Sequence, residues 1–221
     1  MGCQGPKSLI AVKEGESFLE LFLSGLQEQS QGLPHHIPLV LMNSFYTEKA
    51  TRLATEDASQ EILHFNQNQF PRIDAKSFEA CYFPEQPSEE WNPPGHGDCF
   101  SSLVDSGIAQ YLIDKGIDYL FISNSDNLGA RLDFGILGFM AEHGIEFLIE
   151  ETEKTALDSK GGTLVQDKNG KTALLEIAQV PKDHKSEFMD TEQFPYFNTN
   201  NIWVSLPAMI ERVKSNRLKT Q

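Results

Sequence analysis

Short apolar runs alternate with amphipathic stretches along most of this chain, with turn residues between them. Phe18, Leu21, Phe22 and Leu26 recur at helical spacing, so 17–29 reads as a helix with Ser17 as its N-cap. Residues 9–12, 38–43 and 62–65 read as strands, the second buried and ending in polar residues. Thr47 opens a helix with Glu48 and Lys49. Asp98 is predicted to cap a helix to about residue 115, striped by Leu103, Ile108, Tyr111 and Leu112 and ended by Gly116. Residues 119–122 follow as the expected central strand, 132–143 as a helix and 145–150 as a strand. Then the rhythm changes. Residues 160–165, 173–179 and 202–206 carry strand signals, Asn169-Gly170 predicts a hairpin turn, and Pro207 begins a last helix. Strands and helices in alternation, then hairpin strands, describe an α/β fold: a doubly wound sheet with a mixed second half, in one domain over 1–221.

Composition narrows the ligands more than the fold. The net charge is -14, from 32 Asp and Glu against 18 Lys and Arg. Non-specific nucleic-acid binding needs a basic surface, so it is excluded. No apolar run approaches a membrane span, and the start of the chain lacks a signal-peptide pattern. Cys3, Cys81 and Cys99 have neither disulfide nor zinc spacing, which points to a reducing, cytoplasmic setting. An acidic protein takes a phosphate-bearing ligand only in a locally positive pocket. Lys7, His96 and Lys160 are isolated cations in or beside Gly-rich stretches, as such a pocket requires.

Two stretches carry the candidate chemistry. Trp91-Asn92-Pro93-Pro94-Gly95-His96-Gly97-Asp98 is a turn too rich in Pro and Gly to be core. Ser123-Asn124-Ser125-Asp126-Asn127-Leu128-Gly129-Ala130 sets two amides and a carboxylate beyond the 119–122 strand. Ligands of open α/β sheets sit beyond the carboxyl ends of strands, so both stretches are expected to border one pocket. Residue by residue, plainer readings stand beside this one. Lys7 is equally an exposed turn lysine; a cap for the helix near Leu132 is the lesser reading of Asp126, and a loop histidine the favoured one of His96 taken alone. Glu176 is equally an outward-facing strand residue, and 198–201 an ordinary polar loop. The charge run 150–154 reads as a solvated strand end, and His35-His36 as loop surface.

With these motifs in place, the chain resembles the catalytic domain of the eukaryotic-type UTP–glucose-1-phosphate uridylyltransferases (UDP-glucose pyrophosphorylases). The matching stretches are 1–8, 38–45, Phe65-Asn66-Gln67 with Phe70-Pro71-Arg72-Ile73, 93–98, 123–130, 160–164, 175–181 and 197–203. They run in the family's order over nearly the whole chain. Members carry a Leu-Asn-Gly-Gly-Leu-Gly-Thr stretch ahead of the point where this chain starts. They also continue to another phosphate-binding lysine and a C-terminal β-helical domain. The expectation is therefore a chain truncated at both ends; Gln4 also stands where many members have Lys.

The resemblance implies a Rossmann-like fold of the nucleotide-diphospho-sugar transferase type. It implies in-line, Mg2+-assisted transfer between UTP and glucose 1-phosphate, giving UDP-glucose and pyrophosphate, with no nucleic acid or membrane partner. Lys7 and Asp126 would be catalytic, Lys7 on the UTP phosphates and Asp126 as the Mg2+ ligand. Met42, Gln67, Gly95 and Asn124 would bind the nucleotide, Gln67 and the Gly95 backbone N–H reading uracil. His96, Asn124, Gly161, Gly162, Glu176, Asn198 and Asn200 would bind the sugar phosphate. Another sugar 1-phosphate, such as an N-acetylhexosamine, is the neighbouring reading; those enzymes tend to carry Asn-Gly-Gly at His96-Gly97-Asp98. A catalytically incomplete nucleotide-sugar binder is the reading from a different class.

Overall fold

Ser17 opens the first long helix through a capping box. Its hydroxyl accepts from the Glu20 N–H at 3.3 Å, and the Glu20 carboxylate accepts from the Ser17 N–H at 2.7 Å. The helix they start is α1 (Phe18–Ser30), which buries Leu19 and Leu26. The computed structural model of the chain describes residues 5–155 and 161–218, so Cys3, Gln4 and Lys160 lie outside the described residues. The chain divides into two compact units.

The first unit comprises Met1–Asp118, Ser125–Arg131 and Leu206–Gln221. The strand predicted over 9–12 is displaced: Lys7–Leu9 form a 3-10 turn, and β1 (Ala11–Lys13) follows, pairing with β2 (Glu16–Ser17). Pro6 directs this, since its carbonyl accepts from the Leu9 N–H at 3.1 Å and closes the turn. β3 (Leu39–Asn43) and β4 (Ile62–Asn66) are parallel, in register from Leu39↔Ile62 to Asn43↔Asn66, with α2 (Glu48–Ala54) crossing between them. β5 (Phe70–Pro71) and β6 (Trp91–Asn92) make a short antiparallel pair. The single helix expected over 98–115 is two, α3 (Cys99–Asp105) and α4 (Ile108–Asp114). Gly107 at φ 80° interrupts it, a left-handed residue that the helix cannot continue through. The last helix, here numbered α7 (Leu206–Lys214), packs on α3 and α4, with Leu103, Leu112, Leu206 and Met209 as their common core.

The second unit comprises Tyr119–Asn124 and Leu132–Ser205. β7 (Tyr119–Ile122) leads to α5 (Phe134–His143), ended by left-handed Gly144, and to β8 (Phe147–Glu153). β9 (Thr163–Gln166) and β10 (Thr172–Leu175) form the hairpin turned at Asn169-Gly170. After α6 (Lys185–Phe188) comes β11 (Tyr196–Ser205), the longest strand. β7, expected as central, is an edge of its sheet, whose order is β7-β11-β8. β11 takes the middle, pairing antiparallel on both edges, with Trp203 beside Phe121 on one side and Leu148 on the other. The expected α/β fold is present, with its described strands hydrogen-bonded in five short sheets.

Candidate functional site

The carboxyl ends of β3 and β4 place Met42 and Gln67. Met42 pairs with Phe65, and the Gln67 N–H extends the ladder by donating to the Asn43 carbonyl at 2.9 Å. Gln67 Oε1 accepts from the Gly95 N–H at 3.0 Å. The two groups expected to read the base are thus bonded to each other, and base contact through the Gly95 N–H requires exchange of that bond. Gly95 has φ 107°, a conformation reserved for glycine, whereas a Cβ there would meet nothing within 4 Å. Glycine is needed here for backbone shape.

Asp98 stands at the expected N-cap position, before α3, but its side chain makes no capping bond to a backbone N–H. Its carboxylate accepts from the Asn68 N–H at 2.7 Å, the Asn68 side-chain amide at 3.1 Å, the Ser101 hydroxyl at 3.0 Å and the Ser102 hydroxyl. Burial pushes this carboxyl up, but the donors from Ser102, Asn68 and Ser101 outweigh it and hold the group below its ordinary value. The ionised carboxylate fastens the loop after Gln67 to the turn that carries Gly95 and exposed His96. Cys99, next in the chain, is pushed up to about 11 by burial and by Asp98, so it stays a neutral thiol and no nucleophile. An open recess of about 770 Å³ beside the turn is lined by Phe70, Arg72, Cys81, Phe83, Asn92 and Pro94. None of the predicted site residues line it.

Lys7 and Asp126 meet across 119 positions of sequence: Lys7 Nζ lies 3.2 Å from Asp126 Oδ2. Their side chains are 52% and 36% exposed. A pair this open contributes about 0–1 kcal/mol, so phosphate and metal can exchange it. The capping alternative for Asp126 does not hold, because Asp133 caps α5, accepting from Gly135 and Ile136 N–H at 2.7 and 3.2 Å. Among the described residues no group of three or more His, Cys, Asp or Glu side chains could hold a metal ion. A lone carboxylate fits only a cation that takes its other ligands from substrate phosphates and water, which is how Mg2+ is usually held.

In the second unit, Gly161, Gly162, Glu176, Asn198, Asn200 and Asn124 come together. A Cβ at Gly161 would lie 2.8 Å from the Phe197 ring, and one at Gly162 would lie 2.6 Å from the Glu176 carboxyl carbon. Close approach requires glycine at Gly161, whereas at Gly162 the end of the Glu176 side chain would have to move aside. The Asn198 N–H donates to the Gly162 carbonyl at 2.7 Å, tying β11 to the start of the hairpin. Glu176 does not continue a strand to 179: β10 ends at Leu175 and Ile177–Gln179 form a 3-10 turn, with Gln179 Oε1 accepting from the Glu176 N–H at 2.8 Å. Nor are 198–201 a loop, since they lie within β11. Asn200 Nδ2 donates to Asn124 Oδ1 at 2.7 Å.

The charge run 150–154 is solvated only in part: it ends β8 with Thr152 and Glu153 exposed, but Glu150 and Lys154 are not. Glu150 is half-buried and accepts from the Trp203 indole N–H at 2.6 Å. Lys154 is 8% exposed, with Nζ 3.4 Å from the Phe188 carbonyl and 4.6 Å from the Phe188 ring centre. Burial pulls this ammonium below its usual range, against the pull of Glu151. No alternation in the sequence marks Glu150, which opens an unbroken polar run after Ile149, and its partner lies 53 residues away.

The family described as UTP–glucose-1-phosphate uridylyltransferase matches residues 1–221. A probable UTP–glucose-1-phosphate uridylyltransferase of Schizosaccharomyces pombe is 46% identical over 220 residues, 98% of this chain and 43% of its own length. The UTP–glucose-1-phosphate uridylyltransferase of Saccharomyces cerevisiae is 44% identical over 229 residues, 100% of this chain and 45% of its own. The chain spans about half the length of the curated relatives it matches. Among solved structures, the UDP-glucose phosphorylase of Trypanosoma brucei superposes with TM-score 0.90 at 37% identity, over 98% of this chain and 48% of that one. A variant of the Leishmania major UDP-glucose pyrophosphorylase, solved in complex with UDP-glucose, gives 0.85 at 35% identity, over 98% and 49%.

Proposed function

The chain belongs to the UTP–glucose-1-phosphate uridylyltransferase family, and from that premise we propose that it serves uridylyl transfer between UTP and glucose 1-phosphate, releasing pyrophosphate. The observation that carries this reading is the Lys7–Asp126 pair at 3.2 Å, which unites a phosphate cation and a metal carboxylate from distant parts of the sequence. A phosphate oxygen of glucose 1-phosphate, already anionic, attacks the α-phosphorus of UTP. The new P–O bond forms as the bond to the bridging oxygen breaks, and the electron pair leaves with pyrophosphate. No general base is needed, in keeping with a site that pairs a lysine and a carboxylate without a nucleophile. Lys7 follows the phosphate charge as a flexible point cation. Asp126 would hold Mg2+, which when bound supplies charge neutralisation on the phosphates.

Met42, Gln67 and Gly95 take the nucleotide, Gly95 in a turn fastened by Asp98, and His96 takes the sugar phosphate. Asn124, Gly161, Gly162, Glu176, Asn198 and Asn200 supply donors and acceptors for hexose hydroxyls. No described helix is long and apolar enough to cross a membrane, and the free thiols of Cys81 and Cys99 suit a reducing, cytoplasmic setting. Turnover of UTP with Mg2+ and a panel of sugar 1-phosphates tests the reading. Glucose 1-phosphate is expected to be preferred; preference for an N-acetylhexosamine 1-phosphate would overturn the choice of sugar, and no nucleotide or nucleotide-sugar binding at all would overturn the site.

A further inference from the structure

β11 and β8 lose step in the middle of the sugar-side residues. Asn198 pairs with Glu151 and Asn201 with Glu150, so Thr199 and Asn200 are two extra residues on β11. Such a bulge turns side chains away from the sheet's alternation. Asn200 sits at φ 62°, the left-handed region that asparagine tolerates better than most residues.

One residue surrounds this bulge with bonds. The Glu150 carbonyl accepts from the Thr199 hydroxyl at 2.8 Å, its Oε2 from the Asn201 side-chain amide at 2.9 Å, and its Oε1 from the Trp203 indole at 2.6 Å. Trp203 is 2% exposed, so its N–H depends on a protein acceptor. Inside the bulge, Thr199 Oγ1 accepts from the Asn201 N–H at 3.2 Å and Asn198 Oδ1 from the Asn200 N–H at 2.9 Å. The product is an Asn200 amide that donates to Asn124 at 2.7 Å.

We propose that Glu150 is a positioning residue: it holds the Thr199–Asn200 bulge and thereby sets the amides of Asn198, Asn200 and Asn124 for the hydroxyl-bearing end of a nucleotide sugar. The ligand rests on the function proposed above; the positioning does not. The device needs a carboxylate. Two donors converge on its two oxygens; glutamine keeps one acceptor for the donor-only Trp203 indole and turns its NH2 to the Asn201 amide, which can accept it only by turning over at the end of the bulge.

Three variants test it: Glu150→Gln, Trp203→Phe and the two together, in the 221-residue chain. Two readouts are taken: NMR of the Asn200 and Asn124 side-chain amides without ligand, and calorimetric affinities for UDP-glucose and for UDP. In Glu150→Gln the Asn200 amide signals shift, and UDP-glucose affinity falls about tenfold while UDP affinity holds, the size of one lost polar contact. The double variant removes the opposed donor, so its signals and its UDP-glucose to UDP ratio return to those of Trp203→Phe alone. Unchanged Asn200 signals in Glu150→Gln, equal losses for both ligands, or no rescue in the double variant would overturn the proposal. Should Glu150→Gln fail to fold, a folded double variant with the Trp203→Phe signals supports it and an unfolded one overturns it. A wild-type chain that binds neither ligand would defeat the functional reading, while the ligand-free signals still decide the positioning.

Discussion

Lys7 and Asp126 show how one charge acquires a role from another. Each alone is an exposed side chain, and only their approach to 3.2 Å makes them the phosphate-and-metal pair proposed above. Replacing Asp126 by Ala is expected to lower Mg2+-dependent turnover at least about a hundredfold, the usual scale for one electrostatic contact to a transferring phosphoryl group. His143→Ala is the control: this histidine lies at the end of α5, its Nδ1 2.9 Å from the Phe139 carbonyl, and its loss should leave turnover near wild type. Rates measured over a Mg2+ series check both, and equal effects would mean the metal site lies elsewhere. The glycines carry a parallel lesson. Gly95 and Gly162 both stand in motifs of the sequence, yet Gly95 is demanded by a φ of 107°, whereas Gly162 has the Glu176 carboxylate packed beside it. Sequence motifs mark a glycine without distinguishing these causes.

Elements followed the sequence where their ends depend on near neighbours. Ser17 and Glu20 open α1 as a local box, and Asn169-Gly170 turns the β9–β10 hairpin. Asp98 also stands at the start of α3 as read, but what its carboxylate binds is set by a distant partner, Asn68. His64 ties elements together in the same long-range way. Its ring nitrogens lie 3.2 Å from Asn43 Nδ2 and 3.1 Å from Thr55 Oγ1, joining β4 to β3 and to the end of α2. Burial, then nearby Arg52, holds its pKa below the ordinary value, against a smaller opposite pull from Glu48. The folded chain therefore resists a proton that the unfolded chain accepts. Stability from this group is complete above about pH 6.5 and is lost as pH falls from there through the lower folded value. Thermal melts between pH 7.5 and 5.5 should show that loss, and His64→Gln should remove it; an unchanged slope in the variant would show that His64 is not the titrating group.

The whole chain carries -14, so any affinity for polyanions must come from a local arrangement. Retention on heparin or DNA resin at about 0.15 M salt is expected to be nil, since counterion release needs a basic face; retention would reveal a basic surface that the composition hides. Length, charge, the strand–helix rhythm and the ordered motifs were enough for the α/β fold and for the family, because periodicity, caps and turns are set by residues a few positions apart. Contacts between remote residues were not. That Gly95 spends its N–H on Gln67, that Asp98 binds Asn68, and that Glu150 is a strand-bound acceptor for Trp203 became visible only in three dimensions. A donor or a carboxylate takes whichever partner the folded backbone brings within about 3 Å, and chain order does not contain that distance.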